Sequence, residues 1–269
     1  MWVSTAIVLL SVVLIIGTIL IKGVPALSLE MITRTPGGGY YLGKSGGILN
    51  AIVGSLLLTG GAVLISILLS LPVALYLNIY ARRGSMAAAA IRLSLDVLWG
   101  IPSIVYGAFG FVLMLTLGIR ASLLGGMMTV ALLILPMMAR AMDEVVRLVP
   151  RDLLEASYSL GATRWETALK VAARQAMPGI LSAILISFGR GIGDAASVLF
   201  TAGFSDHIPS SLLEPAATLP LAIFFQLGTP FPEVQARAYA SAVILTAIVL
   251  AASLAGRLLI WRYGRHVVK

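Results

Sequence analysis

Cysteine is absent from all 269 residues, and histidine occurs only at His207 and His266. Disulfides and thiolate-held metals are therefore excluded, and two histidines so far apart give no basis for a metal centre. Charge is the next scarcity: 11% of residues are Asp, Glu, Lys or Arg, where soluble domains carry roughly a quarter. Apolar residues fill the space, at 59% of the chain, with a mean hydropathy of +1.01. Such a chain cannot cover a globule with hydrated surface, and it belongs in a lipid bilayer as an all-α polytopic protein. No cofactor-binding pattern accompanies it.

Six spans are expected. Met1 to Ile21 carries no charge; it lacks the basic start and small-residue cleavage site of a secretory signal, so it reads as a retained helix. Ser45 to Ala81 is an uncharged run of 37 residues, which predicts one crossing preceded by a helical lead-in. Val97–Ile119, Ala121–Ala139 and Ala238–Gly256 suit single crossings, and a further span lies within Gln175–Ser205, interrupted by Arg190 and Asp194. The uncharged stretch Pro215 to Pro232 contains four prolines and predicts an interfacial or re-entrant segment instead of a seventh span.

Charge placement orients the chain. With six spans and a cytoplasmic start, thirteen Lys/Arg between Arg82 and Lys269 fall inside, and five (Lys22, Arg34, Lys44, Arg120 and Arg237) fall outside. That asymmetry obeys the positive-inside rule and puts both termini in the cytoplasm. The net charge of +8 is thus topology information, not a nucleic-acid surface. The same count disposes of GGYYLGKS, Gly38 to Ser45, which spells a Walker A loop. It lies outside, and Met31 to Pro36 before it offers no buried strand. A glycine-rich external turn is expected, with no ATP binding by this chain.

Between the fourth and fifth spans, Arg140 to Arg174 holds eleven of the thirty charged residues. Arg140/Glu144, Asp143/Arg147, Arg151/Glu155 and Glu166/Lys170 fall at i, i+4, the spacing of helical ion pairs. Pro150 can open a short helix that Gly161 ends, with a second helix starting at Thr163. On these grounds alone the region is a solvated helical hairpin. Its residues add a resemblance: LLEASYSLGATRWETALKVAARQAMPGI is similar to the EAA loop of ABC-importer permeases. In that loop Glu-Ala-Ala is followed by Gly at the seventh position. Glu155, Ala156, Ser157 and Gly161 take those places, with Ser157 replacing the second alanine. The closing Ile-x-Leu-Pro is degraded at Val171, Ala173 and Arg174.

LDVLWGIPSIVYGAFGF, ARAMDEVVRLVPRDLLEAS and FGRGIGDAASVLFTAG resemble segments of the phosphate-importer permeases, and AMPGI and FTAG resemble the PstA type. The resemblance implies a type I ABC importer permease fold over residues 1–269 as a single transmembrane domain, with a cytoplasmic coupling loop at 140–180. It implies that Asp152, Glu155, Ala156, Ser157, Gly161, Ala162 and Thr163 couple to a separate ATPase. The implied partners are a PstC-like homologous permease, a PstB-like ATPase dimer and a PstS-like external phosphate-binding protein, in the plasma (inner) membrane with lipid around it. ATP hydrolysis would belong to the partner, so the chain itself is not expected to be an enzyme. Other oxyanions, such as phosphonate, sulfate or molybdate, are the alternative cargo.

Arg190 and Asp194 share a helix face at i, i+4 if the fifth span is continuous, and two readings stay open. One is an internal ion pair that orients helices. The other is a polar pathway in which a guanidinium fork meets an oxyanion. In the phosphate permeases the matching segment is Arg-Ala-Ile-Gly-Glu-Thr, its arginine implicated in anion passage; here Asp194 and Ala195 replace Glu and Thr. The resemblance also places Arg140 near the route, although by its position it equally suits a snorkelling arginine paired with Glu144. Gly191-Ile-Gly-Asp194 also spells the GxGD of intramembrane aspartyl proteases, and Pro25-Ala-Leu27 their PAL. Asp96 is the one candidate second aspartate, and it lacks the preceding tyrosine. Arg190 would moreover hold Asp194 ionised, whereas such a dyad must share a proton. A stand-alone anion channel would not require the coupling loop.

Overall fold

A computed structural model describes residues 2–37, 46–82 and 84–264, with side chains as far as Trp261 in the final helix. Gly38 to Ser45, the Walker-like stretch, lies outside the described residues.

Helix α1 (Trp2–Gly23) is apolar on all sides and packs chiefly on α12 (Pro232–Gly264). A turn at Val24–Ala26 and the short α2 (Leu29–Thr33), capped by Ser28, lead to α3 (Leu49–Leu75). This last helix continues through a π-helical turn, Tyr76–Tyr80. The whole rod of 32 residues is roughly 48 Å long at 1.5 Å per residue. Crossing and lead-in are thus one uninterrupted helix, longer than the roughly 20 residues that a single upright crossing needs.

The third span differs from the straight crossing expected over 97–119. Helix α4 (Met86–Trp99) stops at Gly100-Ile-Pro102, and α5 (Ser103–Thr116) leaves it at an angle of 99°. Pro102 has no N–H to continue the ladder and forces Ile101 out of the helical region. Helix α6 (Leu123–Arg147) is longer than the 121–139 expected, because it carries the charged residues Arg140 to Arg147 as its last two turns.

After Pro150 come α7 (Arg151–Ser159) and a second helical stretch made of α8 (Arg164–Glu166), a π-helical turn (Thr167–Ala172) and α9 (Ala173–Gln175). Helix α10 (Met177–Ile192), with Pro178 in its first turn, diverges from that stretch by 71°. Helix α11 (Leu219–Leu227) has nine residues, about 13 Å, too few to cross a membrane. The Pro215–Pro232 stretch is therefore no seventh span. Among the described residues four single helices are long and apolar enough to cross a membrane, and the count reaches the expected six when each of the two bent pairs is taken as one span.

The core is α3 against α6, flanked by α10, with α4 and α5 on the far side of α6. Leu58, Val130, Ile134, Met138 and Met142 are buried there. Serines 66 and 70 of α3 donate to the carbonyls of Ala131 and Leu135, so polar side chains tie the two helices where no water is available. Beyond α10, residues 193–218 fold over the N-terminal ends of α3 and α6. Ser122, Leu123 and Leu124 donate backbone N–H groups to the carbonyls of Thr201, Glu214 and Leu212. Ser55 accepts from Leu219 N at 2.7 Å, which caps α11. Gly54 lets Ala217 come close, since a Cβ there would stand 2.0 Å from its carbonyl oxygen. At the outer surface the Ser210 N–H and O–H bond to Glu214, holding its carboxyl below the usual range.

Candidate functional site

Three groups of polar residues interrupt the apolar body. The first is at the end of α10. Sequence spacing allows Arg190 and Asp194 to pair if the fifth span is continuous, but α10 ends at Ile192 and no ion pair joins the two among the described residues. Gly191 and Gly193 favour that early stop, since neither stabilises a continuing helix. Asp194 Oδ2 instead accepts the Ser197 N–H at 2.8 Å, so the carboxylate caps the turn that follows the helix. Arg190 is exposed in the last turn, makes no ion pair among the described residues, and lies within electrostatic reach of Tyr106 on α5. Close by, Ser187 and Ser197 are buried with hydroxyl oxygens that have no partner among the described residues.

The second group lies where the end of α3, helix α4 and the end of α6 meet. Asp143 is fully buried. Arg92 grips it in fork geometry, Nε to Oδ2 at 2.8 Å and Nη2 to Oδ1 at 2.9 Å. Asn78, on the π turn, donates to Oδ1 at 2.8 Å. Arg140 adds Nη1 to Oδ2 at 2.9 Å and Nε to Asp96 at 2.8 Å, and it also pairs with Glu144. Two of the three guanidinium nitrogens of Arg140, Nε and Nη1, are thus directed to carboxylates. The Arg140/Glu144 pair is present as expected, whereas the Asp143/Arg147 and Arg151/Glu155 pairs do not form among the described residues. Asp143 turns to the inside of the bundle, where two other helices offer better partners. Sequence reasoning missed Arg92, Asn78 and Asp143 as one cluster. The available signal was Asp143 at i+4 from Ala139 and i−3 from Val146, on the apolar stripe of α6. Asp96, the residue an aspartyl dyad would need, is bound to Arg140, and nothing joins it to Asp194 among the described contacts.

The third group is the hairpin formed by α7 and the helical stretch 164–175. Helix α7 has no buried residue. Asp152, Glu155 and Ala156 are exposed, and Ala162 is half-buried. Ser157 turns inward, its hydroxyl 2.9 Å from that of Thr167; the departure from alanine thereby ties α7 to the stretch behind it. Gly161 has φ +84°, with nothing near where a Cβ would sit, so it ends the helix in the left-handed conformation open to glycine. Thr163 begins the next helix in a capping box: its hydroxyl accepts from Glu166 N, and the Glu166 side chain accepts from Thr163 N. Lys170 pairs with Glu166 at 3.1 Å. At the tip Leu160 is 89% and Trp165 62% exposed. Large apolar groups held out into water by a rigid turn have no purpose in the isolated chain.

Residues 70–265 match the family model described as the binding-protein-dependent transport system inner membrane component. The phosphate transport system permease protein PstA of Haemophilus influenzae is 33% identical over 245 residues, covering 91% of this chain and 85% of its own. PstA 1 of Mycobacterium tuberculosis (strain H37Rv) is 37% identical over 217 residues, 80% of this chain and 70% of its own. Among solved structures, an inward-facing methionine ABC transporter, MetNI, superposes with a TM-score of 0.63 at 20% identity, covering 80% of this chain and 95% of that one. At that identity the likeness concerns the fold.

Proposed function

The chain belongs to the family of binding-protein-dependent transport system inner membrane components, and we propose that it is the permease subunit of an ATP-driven phosphate importer. It is a multi-pass inner-membrane transport permease, not an enzyme. The observation that carries the phosphate reading is the run of PstA relatives, 33% to 37% identical over most of the chain.

In this reading the whole chain is one permease domain with cytoplasmic termini, and residues 140–180 are its coupling loop. A PstC-like permease completes the pathway, and a PstS-like protein delivers phosphate outside. Arg190, exposed and without an ion pair among the described residues, offers its fork to the anion as it passes, with Asp194 shaping the turn beside it. Arg140 serves the same pathway from the other end, by fixing α4 to α6 through its carboxylates. Helix α7 with Asp152, Glu155, Ala156 and Ser157, and the turn Gly161-Ala-Thr163, docks a PstB-like ATPase dimer. Exposed Leu160 and Trp165 supply apolar area for that contact. ATP-driven closure of the partner then pulls on α10 through the stretch 164–175.

Uptake of radiolabelled phosphate by membranes carrying the assembled complex, with sulfate, molybdate and phosphonate as competitors, tests the assignment. Uptake blocked by unlabelled phosphate alone supports it. Uptake of another oxyanion in its place overturns the cargo and leaves the family standing.

A further inference from the structure

A cavity of about 620 Å³ opens between the second and third groups, sharing Asn78 and Arg92 with the one and Glu155 with the other. Its walls come from the π turn of α3, the residues Ala81, Arg82, Gly84 and Ser85, the start of α4, the end of α6 and the inner face of α7. Arg82, Arg92, Arg147 and Arg151 line it, with Glu155 as the acid among the described lining residues. Arg151, Leu154, Glu155 and Tyr158 stand at i, i+3, i+4 and i+7, so a single face of α7 forms one wall.

The arginines divide into two kinds. Arg92 is fixed by Asp143 through Nε and Nη2, leaving Nη1 without a bond among the described residues. It is a pre-oriented donor whose charge is already balanced. Arg82, Arg147 and Arg151 have no hydrogen bond or ion pair among the described residues and come from three different elements. Set against Glu155, they leave about two uncompensated positive charges, the charge of a phosphate group near neutral pH. Guanidinium forks match phosphoryl oxygens. Helix α4, fourteen residues long, adds the positive end of its dipole, because Ser85, Ala88 and Ala89 also face the cavity.

We propose that this cavity binds a phosphoryl oxyanion on the cytoplasmic side, supplied by an anionic phospholipid headgroup or by free phosphate. Its occupant touches α7 and α6 together and so stiffens the hairpin against the bundle. Basic pockets between helices at the cytoplasmic boundary are a recognised setting for lipid headgroups. The proposal does not depend on which cargo is carried.

The assembled transporter is placed in phosphatidylcholine vesicles, with phosphatidylglycerol added in one arm and inorganic phosphate on the cytoplasmic side in the other. Retention of phosphatidylglycerol on the re-purified complex and binding of radiolabelled phosphate are compared between wild type and Arg82→Gln/Arg147→Gln/Arg151→Gln. Affinity in one arm is expected to weaken by about fivefold for each arginine replaced, and that arm identifies the source. The three Arg→Lys replacements, which keep charge and lose the fork, should fall between the two. Equal retention and equal phosphate binding in wild type and the Gln variant overturn the proposal. So does a Gln variant that sheds the ATPase with both anion measurements unchanged, since the cavity would then be a socket for protein.

Discussion

Arg140 and Arg190 each stand near the C-terminal end of an apolar helix, one turn from an acid, and their surroundings have little in common. Arg140 bonds Asp96, Asp143 and Glu144, and the carboxylate it shares with Arg92 is fully buried. Arg190 is exposed, and the aspartate four residues on is spent on a backbone N–H. A charge surrounded by fixed counter-charges holds helices together; a charge left without them remains available to a ligand. The same residue type at similar sequence spacing is thus committed to packing in one place and left without a counter-charge in the other, which is what the proposed transport role of Arg190 requires. The reason is that α6 stays helical past its charges while α10 stops before Asp194.

Removing Asp143 should separate the two regions most strongly. Asp143→Asn strands Arg92 and part of Arg140, and should cost about 3 kcal/mol, the lower end for a broken buried pair because both arginines reach solvent. A lowered thermal midpoint in detergent and poor recovery from membranes would show it. Adding Arg92→Gln should return part of the loss, and no recovery would mean that Asp143 acts through packing alone.

Arg190→Gln should do the opposite. Assembly and thermal stability should stay at wild-type level, while phosphate uptake falls roughly ten- to hundredfold, the worth of a charge-assisted hydrogen bond. Full uptake by this variant would remove Arg190 from the pathway. Unfolding of the variant would make the contrast with Arg140 untenable.

At the hairpin, Gly161→Ala should cost about 1 to 2 kcal/mol locally through the left-handed backbone, and Gly161→Arg should in addition obstruct docking. Pull-down of the ATPase subunit reads both, and normal coupling in the Arg variant would move the docking surface elsewhere. Thr163→Ala removes one half of the capping box and should cost about 1 kcal/mol, visible as a modest drop in transport-stimulated ATP hydrolysis. Smallest of all, Lys44→Ala should leave hydrolysis by the complex unchanged; loss of nucleotide binding in that variant would overturn the external placement of the Walker-like stretch.

Much of this protein was legible in its sequence. Mean apolarity and the uncharged runs decided the membrane and the number of crossings, because each span must satisfy its own backbone and cannot tolerate scattered charge. Pro150, Gly161 and Thr163 specified the two helices of the hairpin, since caps and breakers act over a few neighbouring residues. Helix ends inside or beside long apolar runs were misjudged: the stop of α10 at Gly191–Gly193 before Asp194 and the break at Gly100–Pro102, whose local breakers were outweighed by the apolar run, and the extension of α6 to Arg147, which carries charge within the helix. Local spacing gave the Arg140/Glu144 and Glu166/Lys170 pairs, but only the tertiary structure decided the partners of the buried Asp143. Arg92 and Asp143 lie fifty-one residues apart and meet because α4 and α6 pack side by side, a juxtaposition no local spacing encodes. The cytoplasmic cavity has the same origin: four arginines from four elements face one space because the helices that carry them converge there.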